Sequence, residues 1–270
     1  MIQLKDKKVL VLGLGETGLS ALRWLETQGA ILSVADSREA PPSVDDVIRR
    51  MPQVTVHTGA FATALFLQMD LIVISPGVAL SEPAVQAAML AGIIVIGDVE
   101  LFAQYRDAGA KIIAITGANG KTTVTTLVGE MCKAAGLSTI VAGNIGLPVL
   151  EALMLPVPDV YVLELSSFQL ETTNSLVIDA ATMLNLSEDH MDRYASLQDY
   201  AVAKAHIFYH AKLQVLNRDD AWSMLMARPK LAQVTFGFDE KEYGLDYSNV
   251  TIEKSPLVIN SPSNINLVRE

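Results

Sequence analysis

Ile115-Thr116-Gly117-Ala118-Asn119-Gly120-Lys121-Thr122-Thr123 stands between an apolar, strand-like run from Lys111 to Ile115 and a run with helical period, Val124, Leu127, Val128, Met131 and Ala135. A glycine-rich turn from a strand into a helix aims several backbone N–H groups at one point, at the positive end of the helix dipole, and so makes a phosphate cradle. Lys121 adds a point charge for the outer phosphates, and the Thr122 hydroxyl is a ligand type suited to Mg²⁺. The pattern G-x-x-x-x-G-K-[ST] is not met, because Ile115 occupies the first glycine position; the shorter T-G-x-N-G-K-T-T is met. The bland alternative is a plain strand–turn–helix connection.

A second phosphate signature lies near the N-terminus. Val9 to Leu12 reads as a buried strand, followed by Gly13-Leu14-Gly15-Glu16-Thr17-Gly18. Leu19, Leu22 and Leu25 then share one helix face, Gly29 is placed to stop that helix, and Ile31 to Ala35 forms a second strand with Asp36 at its end. This is a G-x-G-x-x-G βαβ unit with an acidic residue about twenty positions on, the arrangement of dinucleotide-binding domains. The motif selects a nucleotide or diphosphate at a helix start and does not single out nicotinamide. A purely structural turn is the other reading.

Composition limits the rest. A chain of 270 residues, 50% apolar and 19% charged, holds two globular domains with real cores. Its longest apolar runs, Leu71 to Ile74 and Ile93 to Ile96, are too short to span a bilayer, so no membrane insertion is expected. Lys5, Asp6, Lys7 and Lys8 interrupt the N-terminus before it can form a signal-peptide core. The single cysteine, Cys132, excludes an intrachain disulfide, fits a reducing, cytoplasmic compartment and is read as a small helix residue. A net charge of −10 argues against nucleic acid as a partner. An acidic total does not exclude anionic small substrates, since local cations and N–H groups control a pocket.

Alternation of strands and helices gives two α/β domains: residues 1–96, Rossmann-like, and residues 97–270, a phosphate-loop ATPase-like domain. Within the first, Leu71 to Ile74 leads into the turn Ser75-Pro76-Gly77; just after its end Asp98 is placed to cap a short helix through Gln104. The second has strands near Ile112–Thr116, Val160–Leu165 and Ala180–Leu184, and the stretch after Thr235 reads as short strands and turns. In an open parallel sheet the carboxyl ends of the strands form the ligand crevice. Glu164, at such an end and beside a phosphate loop, suits the magnesium-binding acid of nucleotide hydrolases. His190 follows the next strand among Glu188, Asp189 and Asp192. On residue type alone it is a loop histidine making ordinary hydrogen bonds; its place after a third strand of the same sheet favours a ligand or acid–base role. Asn144, in Gly143-Asn144-Ile145-Gly146, is by composition a turn former, and Lys204 by residue type a solvated helix lysine.

Taken together these stretches resemble the Mur ligases, and among them the D-glutamate-adding branch. The resemblance runs along nearly the whole chain: GLGETGLS from Gly13, SPG from Ser75, GDVELF from Gly97, TGANGKTT from Thr116, GNIGLP from Gly143, ELSSFQLE from Glu164, and N-x-S-E-D-H-M-D-R-Y from Asn185. The phosphate loop is common to all Mur ligases and to folylpolyglutamate synthase; the ELSSFQLE run with the glycine-rich N-terminal domain is more specific.

The resemblance implies ATP-dependent ligation of D-glutamate to UDP-N-acetylmuramoyl-L-alanine through an acyl phosphate, in peptidoglycan precursor synthesis, by a cytoplasmic monomer. It implies that Gly117, Ala118, Asn119, Gly120, Lys121, Thr122 and Thr123 bind ATP, that Thr122 and Glu164 hold one Mg²⁺, and that His190 holds a second. Asn144, Ser166 and Gln169 would position the acceptor, with Lys121, Asn144, His190 and Lys204 forming the catalytic set. Lys204 matches a family lysine that carries CO₂ as a carbamate, a group that coordinates Mg²⁺ where an ammonium would be repelled. The N-terminal signature is reassigned from a dinucleotide to the UDP moiety. Gly15, Glu16 and Thr17 would meet the diphosphate, Glu16 through its backbone only; Asp36 and Arg38 would lie by the uridine, and Ser75, Pro76 and Gly77 would flank the same pocket.

Mur ligases carry a third, Rossmann-like domain, entered through a G-x-H-N segment, that contacts adenine, ribose and D-glutamate. This sequence ends at Glu270, where that segment would begin, so the third domain is expected to be absent and the chain to be catalytically incomplete. Two other readings stay open at this point: an NAD-dependent oxidoreductase built on the G-x-G-x-x-G domain, and a non-catalytic nucleotide-binding regulator.

Overall fold

The computed structural model describes residues 2–238 and, beyond them, only the backbone of Gly244–Leu245 and Leu267–Val268, which pair antiparallel. The strand-and-turn reading of the C-terminal stretch therefore lies, from residue 239 on, outside the described residues except at those two strands. Packing divides the chain into two units. One comprises Met1–Ala108, Ala142–Val157 and Ser166–Leu176; the other comprises Gly109–Val141, Pro158–Leu165 and Val177–Glu270.

The first unit is built on β1 (Lys8–Leu12), α1 (Glu16–Thr27), β2 (Ile31–Asp36), α2 (Val44–Arg50), β3 (Thr55–Thr58), α3 (Thr63–Phe66), β4 (Leu71–Ile74), α4 (Pro83–Leu90), β5 (Ile94–Gly97) and α5 (Asp98–Tyr105). Its five strands are parallel in the order β3-β2-β1-β4-β5, with β1 in register between β2 and β4. Parallel strands covered on both faces are apolar throughout, which is why Val9–Leu12 and Leu71–Ile74 read as unbroken hydrophobic runs. Leu10, Leu12, Ile72 and Ile74 pack with Phe66, Val85 and Ala88 into one core.

Strand order reverses beside β1, and the Gly13–Gly18 turn leaves the sheet there, the position where doubly wound sheets bind ligands. The turn is tight because α1 starts against it. A methyl on Gly18 would overlap the Gly13 carbonyl oxygen and press on the Ser75 hydroxyl. Backbone cannot retreat cheaply, so Gly18→Ala is expected to cost about 3 kcal/mol of stability. A chemical-denaturation midpoint equal to that of the parent chain would contradict this.

The second unit is built on β6 (Lys111–Thr116), α6 (Lys121–Ala134), β7 (Thr139–Gly143), β8 (Val160–Glu164), β9 (Ile178–Met183), α9 (Leu197–Ala205), β10 (Ala211–Asn217), α10 (Ala221–Leu225) and β11 (Ala232–Phe236). Strand order is β11-β10-β9-β6-β8-β7. Strand β6 lies between β8 and β9, parallel to both, with Ile115 opposite Glu164 and Thr116 opposite Met183. That register brings the phosphate loop, Glu164 and the chain after Met183 to one edge of the sheet.

Helices α7 (Val149–Ala152) and α8 (Ser167–Glu171) pack with the first unit, as does α5. A division at residues 96 and 97, drawn from the sequence, differs from this grouping. The reason is that Val99, Leu101, Phe102, Val149, Leu150 and Leu170 are all buried, and α5 packs against α7 and α8. Linear position says nothing of such returns of the chain.

Two expectations are corrected. In α6 the periodic residues Leu127 and Met131 are 41% and 46% exposed, whereas Thr125 and Gly129 are buried. The helix lies on the sheet through Val124, Val128 and Cys132, with Gly129 close to the Val141 side chain. The small residue lets the backbone approach, so it, not the large apolar one, marks the buried face. Asp98 is the first residue of α5, whose cap is Gly97.

Candidate functional site

In the second unit the phosphate loop turns from Thr116 into α6 through a left-handed Gly120, φ 78°. The loop is braced by Asn185, at the exit of β9. Asn185 accepts the N–H of Ala118 on its backbone oxygen at 2.9 Å and the N–H of Asn119 on Oδ1 at 2.9 Å, and it donates Nδ2 to the Asn119 carbonyl at 3.1 Å. Those two loop N–H groups are thus engaged. The groups left to grip a phosphate are the N–H donors of the first turn of α6, at Lys121, Thr122 and Thr123, which have no intrahelical partners. Lys121 Nζ donates to the Ala118 carbonyl at 2.9 Å, folded over the loop.

Thr122 donates its hydroxyl to Glu164 Oε2 at 2.9 Å, and Glu164 is buried. One hydroxyl and one carboxylate at a phosphate cradle fit Mg²⁺, which takes one or two protein ligands and completes its shell with phosphate oxygens and water. Among the described residues no three His, Cys, Asp or Glu side chains converge tightly enough to hold a metal by themselves. His190 is half-exposed, adopts a left-handed φ of 56°, and has Nε2 3.5 Å from the Asp189 carboxylate.

Lys204 departs from its solvated reading: it is 1% exposed. Its Nζ donates to the Gly117 carbonyl at 2.8 Å and to Thr116 Oγ1 at 3.3 Å, and sits 4.6 Å from the centre of the Tyr200 ring. Burial first, and then the neighbouring Lys121 charge, pull its pKa down to about 7, against the opposing pull of Asp189 and Glu164. Desolvation penalises the ammonium form, so the neutral amine is within reach at neutral pH. Without a carbamate this amine offers no oxygen to a cation.

Tyr200, which carried no role in the sequence reading, links the loop to the lysine. Its ring meets the His190 ring edge-on at 6.2 Å and lies one helical turn before Lys204. Burial, with the Asp189 charge behind it, pushes its hydroxyl up to about 12. The i, i+4 spacing to Lys204 was the available signal, because such pairs share a helix face. Asn185 had a signal too, as the polar residue ending the apolar run before Glu188.

The first unit holds a cavity of about 530 Å³. Gly15, Glu16, Thr17, Asp36, Arg38, Ser75, Pro76, Gly77, Asn144 and Gln169 all line it, so the expected nucleotide-sugar residues come together. Ser166 does not line it; its hydroxyl caps α8 by accepting the Gln169 N–H at 3.2 Å, while Gln169 Oε1 accepts the Ser166 N–H at 3.1 Å. This reciprocal box ties Ser166 to the orientation of Gln169.

Asp36 is committed within the protein. Oδ1 accepts Arg38 N–H and Nε at 2.9 and 2.8 Å, and Oδ2 accepts the Leu14 N–H and Arg38 Nη2 at 2.7 and 2.6 Å. Four donors fill a carboxylate. It has nothing left for the ribose hydroxyls that a dinucleotide would present, and it serves to fix Leu14 and Arg38 at the cavity wall. The Arg38 guanidinium holds the Asp36 pKa at about 2, with backbone N–H donors adding to the effect against burial. A carboxyl lowered on folding stabilises the fold fully above its unfolded pKa near 3.8 and loses that contribution as pH falls through about 2. Asp36→Asn is therefore expected to cost on the order of 1–2 kcal/mol at pH 7, allowing for solvent screening of Arg38, and progressively less below pH 4. Urea unfolding at pH 7 and pH 2.5 checks it; a pH-independent difference would count against the ion pair.

Comparison with known proteins divides the chain linearly. Residues 7–97 match the MurD-like N-terminal domain of Mur ligases, and residues 115–266 match the Mur ligase middle domain. UDP-N-acetylmuramoylalanine–D-glutamate ligase of Methylobacillus flagellatus is 66% identical over 247 residues, covering 92% of this chain and 54% of that protein. The enzyme of the same name from Thiobacillus denitrificans is 52% identical over 267 residues, covering 90% and 56%. The chain thus spans about half the length of these relatives. Among solved structures, the fold is similar to that of UDP-N-acetylmuramate:L-alanyl-gamma-D-glutamyl-meso-diaminopimelate ligase from Neisseria meningitides (TM-score 0.59, 18% identity, covering 88% of this chain and 80% of that one). It is also similar to UDP-N-acetylmuramate-alanine ligase MurC from Thermotoga maritima (TM-score 0.52, 20% identity, covering 89% and 55%). No described helix is long and apolar enough to cross a membrane. With its second match alone running over more than half of the sequence, the chain belongs to the Mur ligase family.

Proposed function

We propose that this chain is the nucleotide-sugar- and ATP-binding part of an enzyme that joins D-glutamate to UDP-N-acetylmuramoyl-L-alanine in peptidoglycan precursor synthesis, working as a monomer in the cytoplasm. The observation that carries the reading is the 66% identity to a ligase named for that reaction, over 92% of the chain. The saturated Asp36 carboxylate counts against the NAD-dependent alternative. A buried Lys204 beside the phosphate loop counts against a regulator that merely binds nucleotide.

A carboxylate accepts nucleophiles poorly, because it has no leaving group. In the proposed reaction its oxygen takes the γ-phosphoryl group of ATP as the bond to ADP breaks. The amine of D-glutamate then attacks the carbonyl carbon, a C–N bond forms, the C–O bond to phosphate breaks, and the nitrogen loses its proton. The protein supplies alignment and charge. The α6 N-terminus and Lys121 would hold the β- and γ-phosphates, the cavity residues would hold the UDP moiety, and Asn144, Ser166 and Gln169 would direct the acceptor carboxylate. Bound Mg²⁺, on Thr122 and Glu164 and on His190 with carbamoylated Lys204, would neutralise phosphate charge.

Calorimetric titration of the chain tests the binding half of this reading. UDP and UDP-N-acetylmuramoyl-L-alanine should both bind, the nucleotide sugar more tightly, and NADH should not. Binding of NADH without binding of UDP would overturn it.

A further inference from the structure

The Gly97–Phe102 stretch, GDVELF, has no part in the chemistry above, yet it places two carboxylates in the buried interior of the first unit. Asp98 and Glu100 are each 3% exposed. Glu100 Oε2 accepts the N–H groups of Asn174 and Ser175 at 2.7 and 2.8 Å, and Oε1 accepts the Ser175 hydroxyl at 2.7 Å. Gly97 donates its N–H to the Thr172 carbonyl at 3.3 Å, an approach so close that a methyl on Gly97 would overlap the Thr172 hydroxyl. The backbone that follows α8 is therefore held by Gly97 and Glu100, without Asp98.

Asp98 meets the Gln169 side chain as well as the N–H groups of Val99 and of its own backbone at the start of α5. Its Oδ2 accepts Gln169 Nε2 at 3.5 Å, while Oδ1 has no hydrogen-bond partner. A buried carboxylate with one oxygen unpaired is costly, and a leucine of similar shape would serve packing better. Burial also pushes its pKa up to about 6. The N–H groups at the start of α5 offset only part of the burial cost, and the contact to Gln169 gives the acid a second use, the orientation of that amide. The Ser166 N–H requires an oxygen from the Gln169 amide, and Asp98 requires an N–H from its other end. Both demands select the same amide rotamer. They leave the second N–H of Nε2 as the group that this cavity-lining residue, itself 2% exposed, has to give.

We propose that Asp98 is a positioning residue: it fixes the Gln169 amide so that Nε2 donates to an acceptor oxygen on the amino-acid-bearing part of the nucleotide sugar. The inference rests on the reading of the cavity given under Proposed function.

The test is calorimetry with UDP and with UDP-N-acetylmuramoyl-L-alanine, run beside thermal melting, on the chain and on Asp98 variants. Asp98→Leu removes the acceptor and keeps the packing; it should weaken the nucleotide sugar about tenfold, leave UDP within about twofold, and melt no lower than the parent. Asp98→Asn keeps an acceptor oxygen and should bind both ligands as the parent does. Gln169→Ala should show the same loss for the nucleotide sugar, and adding Asp98→Leu to it should cause no further loss. Unchanged nucleotide-sugar affinity in Asp98→Leu would overturn the proposal, as would equal losses for both ligands with a lowered melting temperature, or additive losses in the double variant. A parent chain that binds neither ligand would instead overturn the reading of the cavity, and this inference with it.

Discussion

Replacing Lys121 by alanine in the full-length enzyme should lower ATP-dependent turnover by about 10²–10³-fold and leave the affinity for UDP-N-acetylmuramoyl-L-alanine within about twofold. The phosphoryl group carries its charge most strongly as it passes between two oxygens, and a preplaced ammonium is worth more there than in water. Lys121 sits at the first residue of α6 with its Nζ held over the loop by the Ala118 carbonyl, so a bound phosphate has only to draw it outward. The residues that line the cavity belong to the other packing unit, and Lys121 is not among them. Phosphate release in the presence of D-glutamate, with calorimetry for the nucleotide sugar, separates the two effects. Near-normal turnover would sink the assignment of the loop; lost nucleotide-sugar binding would show that Lys121 serves the cavity as well.

Most of this site is legible in the sequence, because phosphate binding depends on local backbone. A strand, a glycine turn and a helix start are contiguous, and their periodicity and glycines can be read directly: β1, β2, β4, β6 and the helices after them fall where the runs of Val, Ile and Leu place them. What stays hidden depends on chain segments meeting from afar. The sequence could not show that residues 142–157 and 166–176 return to the first sheet, because the cause is burial of Val149, Leu150 and Leu170 against α5. It could not show that Asn185 takes two of the loop N–H groups, some 66 residues away. Lys204 is the sharpest case. A lysine between alanines on a helix looks solvated, and only the sheet folding β6 against β9 and α9 encloses it. A family resemblance pointed to a role for that residue where residue type pointed the other way.

Lys204→Ala in the full-length enzyme should lose most activity and regain part of it with added short carboxylates such as acetate. The alanine leaves a buried gap next to Gly117 and under the Tyr200 ring, on the protein side of the phosphate loop. A small carboxylate can occupy it and offer the oxygens that a lysine carbamate would have offered to a cation. The chemistry of carbamate formation fits what surrounds the amine. CO₂ adds only to a neutral amine, and burial with the nearby Lys121 brings Lys204 to a pKa of about 7, where that form is abundant. Once formed, the carbamate is an anion and reverses the local preference: the Lys121 charge that disfavoured an ammonium now favours the modified group. Two measurements hold the account to its terms. Carbon-13-labelled bicarbonate should give the parent protein a lysine-carbamate resonance that Lys204→Ala lacks, and acetate should raise the variant's turnover at least about tenfold without affecting the parent. A fully active, unassisted Lys204→Ala would remove the carbamate from this site. Lost activity with no labelled resonance in the parent and no rescue would leave Lys204 as an anchor of the loop through the Gly117 carbonyl and nothing more.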